Sequence, residues 1–294
     1  MSETAQISMQ KASENPGQEV FHRIDTDGDD YVPPSSSRYV RSRLSDIEAE
    51  NVSQSISLKT IRSGVEHYRI HDRDFVLTPD TVLLVGIDTP FRLTVGEGDI
   101  VEGVCLQFAP QTLKRQFDIE RQAVPRDVVF RLPRGAILGG MPNALLDGAI
   151  TMTDEIFLKL QARTYRTLRR LSMCAKRLSV TGQAKREDII SRLEAARYFL
   201  SSKASEAVTV DEAGRHCGLS SAQFARYFRD AYQCTPAVYH RAIRLGWLRS
   251  VLTVTELTPR EAAERGGFSD YPTFSKAFKR TFGYSPSDVV KQRG

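Results

Sequence analysis

The C-terminal third of the chain contains an internal repeat, and this repeat limits the fold more than any other feature of the sequence. Matched residues recur 49 positions apart at first and 50 positions apart further on. The pairs at 49 are Thr209 and Thr258, Glu212 and Glu261, Ala213 and Ala262, Gly218 and Gly267, and Ser220 and Ser269; the pairs at 50 are Phe224 and Phe274, Phe228 and Phe278, Tyr232 and Phe282, and Pro236 and Pro286. The change in spacing predicts one extra residue in the second copy, between Ser269 and Phe274. The same supersecondary unit is therefore built twice.

Each copy predicts a helix-turn-helix unit. A T-x-x-E box, such as Thr209 to Glu212, caps the start of a first helix, and a glycine then permits a tight turn. Aromatic residues follow at i, i+4 and i+8, so they share one face of a second helix. We interpret that face as buried core, which leaves the opposite face of the second helix for a groove. Between the copies, the stretch "PAVYHRAIRLGWLRSVL" predicts a long connecting helix.

Positive charge is concentrated in the same region. Residues 185–294 contain 18 Lys and Arg against 12 Asp and Glu, whereas residues 1–184 contain 23 against 24. A basic module joined to a nearly neutral one favours a polyanionic partner, usually nucleic acid.

These motifs resemble those of the AraC/XylS family of bacterial transcription regulators. The resemblance covers residues 186–294, and "GFSDYPTFSKAFKRTFGYSP" is very close to the family signature. The chain departs from the family pattern in three places: Leu248 replaces the usual alanine, Pro272 lies in the first turn of the second recognition helix, and Tyr232-Gln233-Cys234 replaces a glycine-containing helix stop. The resemblance implies that the two second helices enter successive major grooves of double-stranded DNA, ~34 Å apart.

The resemblance also implies which side chains contact DNA. The candidates for reading base edges are Ala222, Ala225 and Arg226 in the first copy and Tyr271, Pro272, Ser275 and Lys276 in the second. Arg226 is the best candidate for bidentate contact with a guanine, because guanidinium donors match two acceptors of that base. The candidates for phosphate contact are Arg215, Arg229, Lys279 and Arg280.

The N-terminal part predicts strands. We expect a flexible segment at 1–35 and a β-barrel at 36–140, because alternating runs such as "FRLTV" are separated by turn signals about every ten residues. This part resembles the cupin-like sensor domains of the family only weakly. His67 and His71 would lie about 13 Å apart on a strand, too far for one metal ion, so no metal and no cofactor are expected. Arg62, His67, Tyr68 and Arg92 are guesses for contact with a small-molecule effector.

A helical region is expected at 141–184, before a DNA-binding domain at 185–294. Apolar residues with near-heptad spacing form one stripe: Phe157, Leu160, Thr164, Leu168, Leu171, Ala175 and Leu178. This stripe either packs on the chain's own barrel or forms a homodimer seam, and its near-heptad spacing favours the seam. The stretch "SVTGQAKRED" at 179–188 is interpreted as a linker.

The expected fold class is α+β, with a cupin-like β-barrel, a helical dimerisation segment and an all-α domain containing two helix-turn-helix motifs. No apolar run reaches the ~20 residues that a membrane span needs, and the four cysteines are scattered, which favours a cytoplasmic protein. No catalytic motif is present. The predicted function is a homodimeric transcription activator that responds to a small molecule and, by resemblance, contacts RNA polymerase. The alternatives are a cupin-type enzyme fused to a DNA-binding tail, or a regulator whose N-terminal domain mediates only protein interaction.

Overall fold

The computed structural model describes residues 20–22, 37–110, 113, 124–138 and 153–292. The chain divides into two units, residues 1–191 and 192–294. Strands dominate the described part of the first unit and helices make up the second, which confirms the α+β class. The predicted flexible segment at 1–35 lies outside the described residues, apart from 20–22.

The first unit contains two β-sheets. The strands are β1 Val20–His22, β2 Arg38–Leu44, β3 Ile47–Ser53, β4 Ile56–Ser63, β5 Glu66–Ile70, β6 Arg73–Leu77, β7 Thr81–Val85, β8 Thr89–Val95, β9 Val101–Phe108 and β10 Val129–Pro133. Six of them form a sheet in the order β1-β2-β9-β4-β7-β10, and four form a second sheet in the order β3-β8-β5-β6. Among the described strands no pairing joins the two sheets, so the predicted barrel is not closed.

The two sheets share one apolar core because their strands alternate between inward and outward side chains. In β3, Ile47 and Ala49 are buried whereas Glu48 and Glu50 are exposed. The core contains Leu44, Ile61 and Val85 from the larger sheet, packed with side chains of the smaller sheet: Ile47, Ala49, Tyr68, Ile70, Leu77, Leu93 and Val95. This alternation holds the smaller sheet against the larger one by burying its apolar face.

Helix α1 spans Arg134–Leu138, and a long helix, α2, spans Asp154–Arg177. Helix α2 buries the apolar stripe that was predicted as a dimer seam. Phe157, Leu160, Thr164, Leu168, Leu171, Ala175 and Leu178 are each 7% exposed or less within one chain. The Phe157 ring contacts Phe108 of β9 with 5.5 Å between centroids. The stripe is therefore covered within a single chain, and the seam prediction is wrong, because heptad spacing marks an apolar face without specifying what covers it.

Helix α3, Gln183–Ser202, begins directly after Gly182 and contains most of the predicted linker. The division between the two units falls inside α3, a few residues beyond the predicted boundary at 184.

The second unit is helical. Its further helices are α4 Val210–His216, α5 Ser221–Tyr232, α6 Pro236–Val254, α7 Pro259–Arg265, α8 Tyr271–Phe282 and α9 Pro286–Lys291. Helices α4 and α5 form the first helix-turn-helix unit, and α7 and α8 form the second. Both predicted T-x-x-E capping boxes are present, with Thr209 bonded to Glu212 and Thr258 bonded to Glu261.

The extra residue of the second copy is Ser269, in the turn before α8, so the prediction that placed it between Ser269 and Phe274 is wrong. Ser220 caps α5, and the equivalent cap of α8 is Asp270 rather than Ser269. The side chain of Asp270 accepts a hydrogen bond from the Thr273 N–H. The insertion therefore lengthens the turn by Ser269 and leaves the register of the helix behind it intact.

Two further properties concern the described residues as a whole. No helix among them is long and apolar enough to cross a membrane. Cys105, Cys174, Cys217 and Cys234 are all free thiols.

Candidate nucleic-acid interface

Both helix-turn-helix turns have the same backbone geometry. Gly218 has a φ of +68° and Gly267 a φ of +65°, a left-handed conformation that glycine adopts without steric cost. In the first turn the Leu219 N–H donates to the Gly214 carbonyl at 2.9 Å. In the second, the Phe268 N–H donates to the Ala263 carbonyl at 3.0 Å. The sequence repeat is therefore also a repeat of backbone structure.

The aromatic faces of α5 and α8 pack in matching ways. Phe224, Phe228, Phe274 and Phe278 have no exposed side-chain surface. Centroid distances are 5.4 Å for Phe224–Phe228 and 5.5 Å for Phe274–Phe278, with the rings nearly perpendicular. Edge-to-face contacts of this kind add to the free energy of simple area burial. This packing fixes which face of each helix points outward.

The outward face of α5 contains the predicted contact residues of the first copy. Ala222, Arg226 and Arg229 are exposed, and Ala225 is half-buried. The Arg226 guanidinium carbon lies 4.7 Å from the centroid of the Tyr227 ring. This stacking holds the guanidinium close to the helix surface in the free protein.

The outward face of α8 is more strongly basic. Pro272, Lys276, Lys279 and Arg280 are exposed, whereas Tyr271 and Ser275 are half-buried. The Tyr271 hydroxyl lies 3.3 Å from the Ser287 hydroxyl of α9, so its polar end is already engaged within the domain. Of the predicted base-reading residues of this helix, Lys276 is the one with a charged side chain, and it is exposed in the middle of the helix.

Pro272 is the second residue of α8. At this position a backbone N–H has no partner within the helix, so its loss carries no hydrogen-bonding cost. The proline therefore fits the helix but supplies no N–H donor to a ligand.

Arg215 differs from the other predicted phosphate contacts. Its guanidinium forms an ion pair of 2.6 Å with Asp211, one turn earlier on α4. This local pair reduces the net positive charge that Arg215 offers.

Carboxylates at the helix starts are tied to the backbone. The Thr209 N–H and hydroxyl hold the pKa of the Glu212 carboxyl below its ordinary value, and Thr258 does the same for Glu261. Asp270 has a lowered pKa because it accepts hydrogen bonds from Thr273 and Ser269. These acids stay charged at neutral pH as helix caps and are not paired with the exposed cations of α5 and α8.

Two arginines that the sequence analysis missed donate hydrogen bonds to the backbone of the two turns. The Arg192 guanidinium of α3 donates to the Gly218 carbonyl at 3.3 Å. The Arg244 guanidinium of α6 donates to the Gly266 carbonyl and lies 4.9 Å from the Phe268 ring centroid. Arg192 and Arg244 are 52 residues apart, as are the buried pairs Leu193 and Leu245, and Leu200 and Leu252. A comparison of the sequence with itself at a spacing of 52 would have found them.

The structure brings only one of the four guessed effector residues into an enclosed space. Tyr68 is buried and lines a cavity of about 120 Å³ between the two sheets. Arg62, His67 and Arg92 are exposed, and Arg92 forms ion pairs with Glu48 and Glu50 on the outer face. These three guesses are incompatible with a ligand inside the first unit, because alternate residues of a strand point to opposite faces.

The cavity contains a buried polar network. The Lys59 ammonium donates to the Ser42 hydroxyl at 2.8 Å and lies 3.2 Å from a Glu66 oxygen. The Tyr68 hydroxyl donates to the other Glu66 oxygen at 2.9 Å, and burial raises the pKa of Tyr68 well above its ordinary value, with the Glu66 charge adding to the shift. The Gln107 Oε1 atom is buried without a hydrogen-bond partner in the described part of the chain. Within that part, no cluster of His, Cys, Asp and Glu side chains is suited to hold a metal.

The geometry of the second unit defines a protein that carries two helix-turn-helix units with basic outward faces. A family model described as a helix-turn-helix domain matches residues 213–292. The transcriptional regulator ArgR of Pseudomonas aeruginosa is 29% identical over 102 residues, which are 35% of this chain and 31% of that protein. The transcriptional activator RhaS of Escherichia coli is 31% identical over 107 residues, which are 36% of this chain and 38% of RhaS. The match thus spans about a third of the length of these curated relatives.

The chain is similar to an AraC-type transcriptional regulator from Chromobacterium violaceum, with 25% identity, 35% of this chain and 92% of that chain covered, and a TM-score of 0.33. It is also similar to ToxT of Vibrio cholerae strain SCE256, solved with a bound unsaturated fatty acid, with 12% identity, 88% and 96% covered, and a TM-score of 0.32. Residues 213–292 thus match a helix-turn-helix domain, and the C-terminal part of the chain is similar in sequence to the transcriptional regulators ArgR and RhaS.

Proposed function

We propose that this protein is a cytoplasmic, sequence-specific DNA-binding transcription regulator, and not an enzyme. The observation that carries the proposal is the duplicated helix-turn-helix unit, in which buried aromatic faces turn Arg226 and Lys276 outward on equivalent helices. Two basic helices presented in this way suit two major-groove contacts on one side of a duplex. Arg226 reads a base in this proposal, while Lys279 and Arg280 contact phosphates.

The first unit acts as a cupin-like sensor of a small molecule in this proposal. The support is the cavity between the sheets, where Lys59 and Tyr68 supply donors and the unpartnered Gln107 oxygen requires a donor from elsewhere. A buried acceptor without a partner costs free energy that a ligand hydroxyl or N–H can remove. We therefore expect a small polar effector that binds one regulatory state of the protein more tightly than the other.

We further propose that the protein forms a homodimer, activates transcription and contacts RNA polymerase. Among the relatives, RhaS is named as an activator. The dimer contact uses a surface other than the buried stripe of α2, because those side chains are already covered within one chain.

The DNA-binding part is tested with the full-length protein. A random duplex pool is enriched by repeated binding, and affinities for the selected and a scrambled sequence are measured by fluorescence anisotropy. We expect the selected sequence to bind ~10³-fold tighter or more. A double variant, Arg226→Ala with Lys276→Ala, should lose most of that preference. Failure of any sequence to be enriched, or an unchanged preference in the double variant, contradicts the proposal.

The sensor part is tested by thermal shift with a panel of small polar metabolites. A ligand that binds only the native state must raise the melting temperature. Gln107→Leu should abolish the shift, whereas Arg92→Gln, on the exposed face, should keep it. A shift that is lost in Arg92→Gln and kept in Gln107→Leu places the ligand outside the cavity.

A further inference from the structure

A second cleft in the first unit is lined by basic side chains, and none of its lining residues belongs to the helix-turn-helix units that are proposed to bind DNA. Its volume is about 460 Å³, within the range of ~300–1,000 Å³ that is usual for small-molecule sites. Four basic side chains line it: Arg126, Arg169, Lys176 and Arg186. One carboxylate, Glu187, also lines it.

The acids around this cleft are already engaged. Glu187 accepts a hydrogen bond of 2.6 Å from Arg73 on one oxygen and one of 3.0 Å from Gln183 on the other. Arg126 pairs with Asp88. The Arg186 guanidinium donates to the Val180 carbonyl at 3.1 Å, which orients it without neutralising it. Within the described ranges, no carboxylate pairs with Arg169, Lys176 or Arg186, so these three charges are uncompensated.

Helix α2 supplies a polar stripe to the cleft. Arg169, Ser172 and Lys176 follow one another at spacings of three and four, so they lie on one face. The Ser172 hydroxyl oxygen is buried and has no hydrogen-bond partner among the described residues. A hydroxyl donor between two cations is suited to bind an anionic oxygen.

The remaining wall of the cleft is apolar. It is formed by Val124, Val128 and Phe130 and by Met173 of α2. A ligand that fills the cleft therefore needs an anionic group at one end and an apolar group at the other.

We propose that this cleft binds a small organic phosphate, with the phosphoryl oxygens held by Arg169, Ser172, Lys176 and Arg186 and the organic group against the apolar wall. Two guanidinium groups and an ammonium match the charge and the several acceptor oxygens of a phosphate monoester better than those of a monocarboxylate. This site is separate from the cavity that contains Tyr68, so the protein has two ligand sites in its first unit.

The test measures binding of phenyl phosphate to the full-length protein by isothermal titration calorimetry, with inorganic phosphate and benzyl alcohol as partial probes. We expect saturable binding of phenyl phosphate that is tighter than that of either partial probe. Arg169→Gln and Arg186→Gln should each weaken it about tenfold or more, since each removes charge-assisted hydrogen bonds. Lys176→Ala changes an exposed side chain, and it should weaken binding without affecting folding.

Arg163→Gln is the matched control, because Arg163 is exposed on α2 and does not line the cleft. It should bind phenyl phosphate as the unmodified protein does. The proposal is overturned by absence of saturable binding, by equal affinity for inorganic phosphate, or by an equal loss in Arg163→Gln. Displacement of phenyl phosphate by a short DNA duplex, together with a loss in Arg163→Gln, would instead assign the basic side of α2 to non-specific DNA contact.

Discussion

The Tyr232 hydroxyl at the end of α5 donates a hydrogen bond of 2.7 Å to Glu194 of α3. The Arg197 guanidinium binds the same carboxylate at 2.7 and 2.9 Å and lies 5.0 Å from the Tyr232 ring centroid. In the second copy Phe282 replaces Tyr232, and Gly246 stands 52 residues after Glu194. Arg249 still lies over Phe282 at 4.9 Å. Only the first copy therefore has an acid and a hydroxyl at these positions, and together with Arg197 they form one network.

This network predicts that Tyr232→Phe and Glu194→Gln destabilise the second unit. Each change should cost about 1.5–3 kcal/mol, the usual worth of a hydrogen bond to a charged group. The double variant should cost less than the sum of the two, because both changes remove the same bond. Urea denaturation measures these free energies. Glu206→Gln removes an exposed ion pair with Lys203, and should cost less than ~1 kcal/mol. Strict additivity would show that Tyr232 and Glu194 do not interact.

The ends of the two recognition helices predict a stabilising substitution. Gln233 after α5 and Gly283 after α8 both have left-handed backbones, with φ of 58° and 85°. A side chain is strained in that conformation, whereas glycine is not. Gln233→Gly should therefore raise the free energy of unfolding by about 0.5–1 kcal/mol, although it loses a bond from the Gln233 amide to the Asp230 carbonyl.

The reciprocal change, Gly283→Ala, places a side chain at the equivalent site and should destabilise by about 1 kcal/mol. Thermal denaturation of both variants measures the two shifts. Shifts of the same sign would show that the left-handed conformation does not decide the stability at these positions.

The burial of the α2 stripe predicts how the first unit responds to substitution. Leu168→Ala should lower its free energy of unfolding by about 2–5 kcal/mol, because it opens a cavity in a packed core. Leu158→Ala on the same helix should have little effect, since Leu158 is 47% exposed. Denaturation followed by analytical ultracentrifugation separates loss of folding from loss of association. If Leu168→Asp is folded but monomeric while the unmodified protein is a dimer, the α2 stripe is a dimer interface after all.

The sequence predicted the elements that local chemistry determines. Capping boxes, turn glycines and a four-residue aromatic rhythm specify the helix-turn-helix units, because each acts within a few residues. The partner of an apolar stripe is set by tertiary packing, so Leu168 could not be assigned to a core or to a seam from spacing alone. Arg192 and Arg244 donate to backbone carbonyls that lie more than 20 residues away in sequence, and the two arginines recur at a spacing of 52 instead of 49 or 50.

Three of the four predicted effector residues, Arg62, His67 and Arg92, are exposed and do not line the cavity, for a reason that the sequence partly contained. Phe91, Leu93 and Val95 alternate inward along β8, which places Arg92 outward. In β5 the pattern is less obvious, because the inward set of Glu66, Tyr68 and Ile70 includes an acid. A buried glutamate is recognised only when its partners, Lys59 and Tyr68, are brought to it by the fold.

His240 predicts a pH dependence of stability. It is buried and bonded to the Lys203 carbonyl at 3.2 Å. Burial lowers the pKa of His240 below its ordinary value of 6.5; the bond to Lys203 opposes this shift and the nearby Arg244 charge adds to it. Above the ordinary pKa both folded and unfolded states are neutral at this residue. As the pH falls below it, the unfolded state binds a proton that the folded state resists, so stability declines.

The measurement is the urea midpoint of the protein between about pH 8 and about pH 5, compared with that of His240→Gln. The variant should lose the part of the pH dependence that lies below the ordinary histidine value of 6.5. The capping carboxylates Glu212 and Glu261 titrate lower and affect both proteins equally. Identical slopes of the urea midpoint against pH for the two proteins would show that His240 does not contribute to the pH dependence of stability.

Arg226 and Arg280 predict two different kinds of DNA-binding defect. Arg226 lies two residues after buried Phe224, in the middle of α5, and faces away from the core. If it binds a guanine, Arg226→Ala should cost about 1–3 kcal/mol on the selected sequence and relax the preference at one base pair. Arg226 stacks on the neighbouring Tyr227 in the free protein, so Tyr227→Leu, which removes this stacking, should change affinity for the selected sequence without changing which base is preferred.

Arg280 lies in the last turn of α8, two residues after buried Phe278, and is exposed. If the start of α8 enters the groove, as proposed, the duplex backbone is the expected neighbour of its end. Arg280→Ala should weaken binding equally on every sequence and reduce the slope of log affinity against log salt by about one. Salt titrations of both variants on selected and base-swapped duplexes distinguish the two roles. Loss of affinity in both without a change in base preference would show that Arg226 is not the reading residue, and loss in neither would show that these helices do not bind DNA.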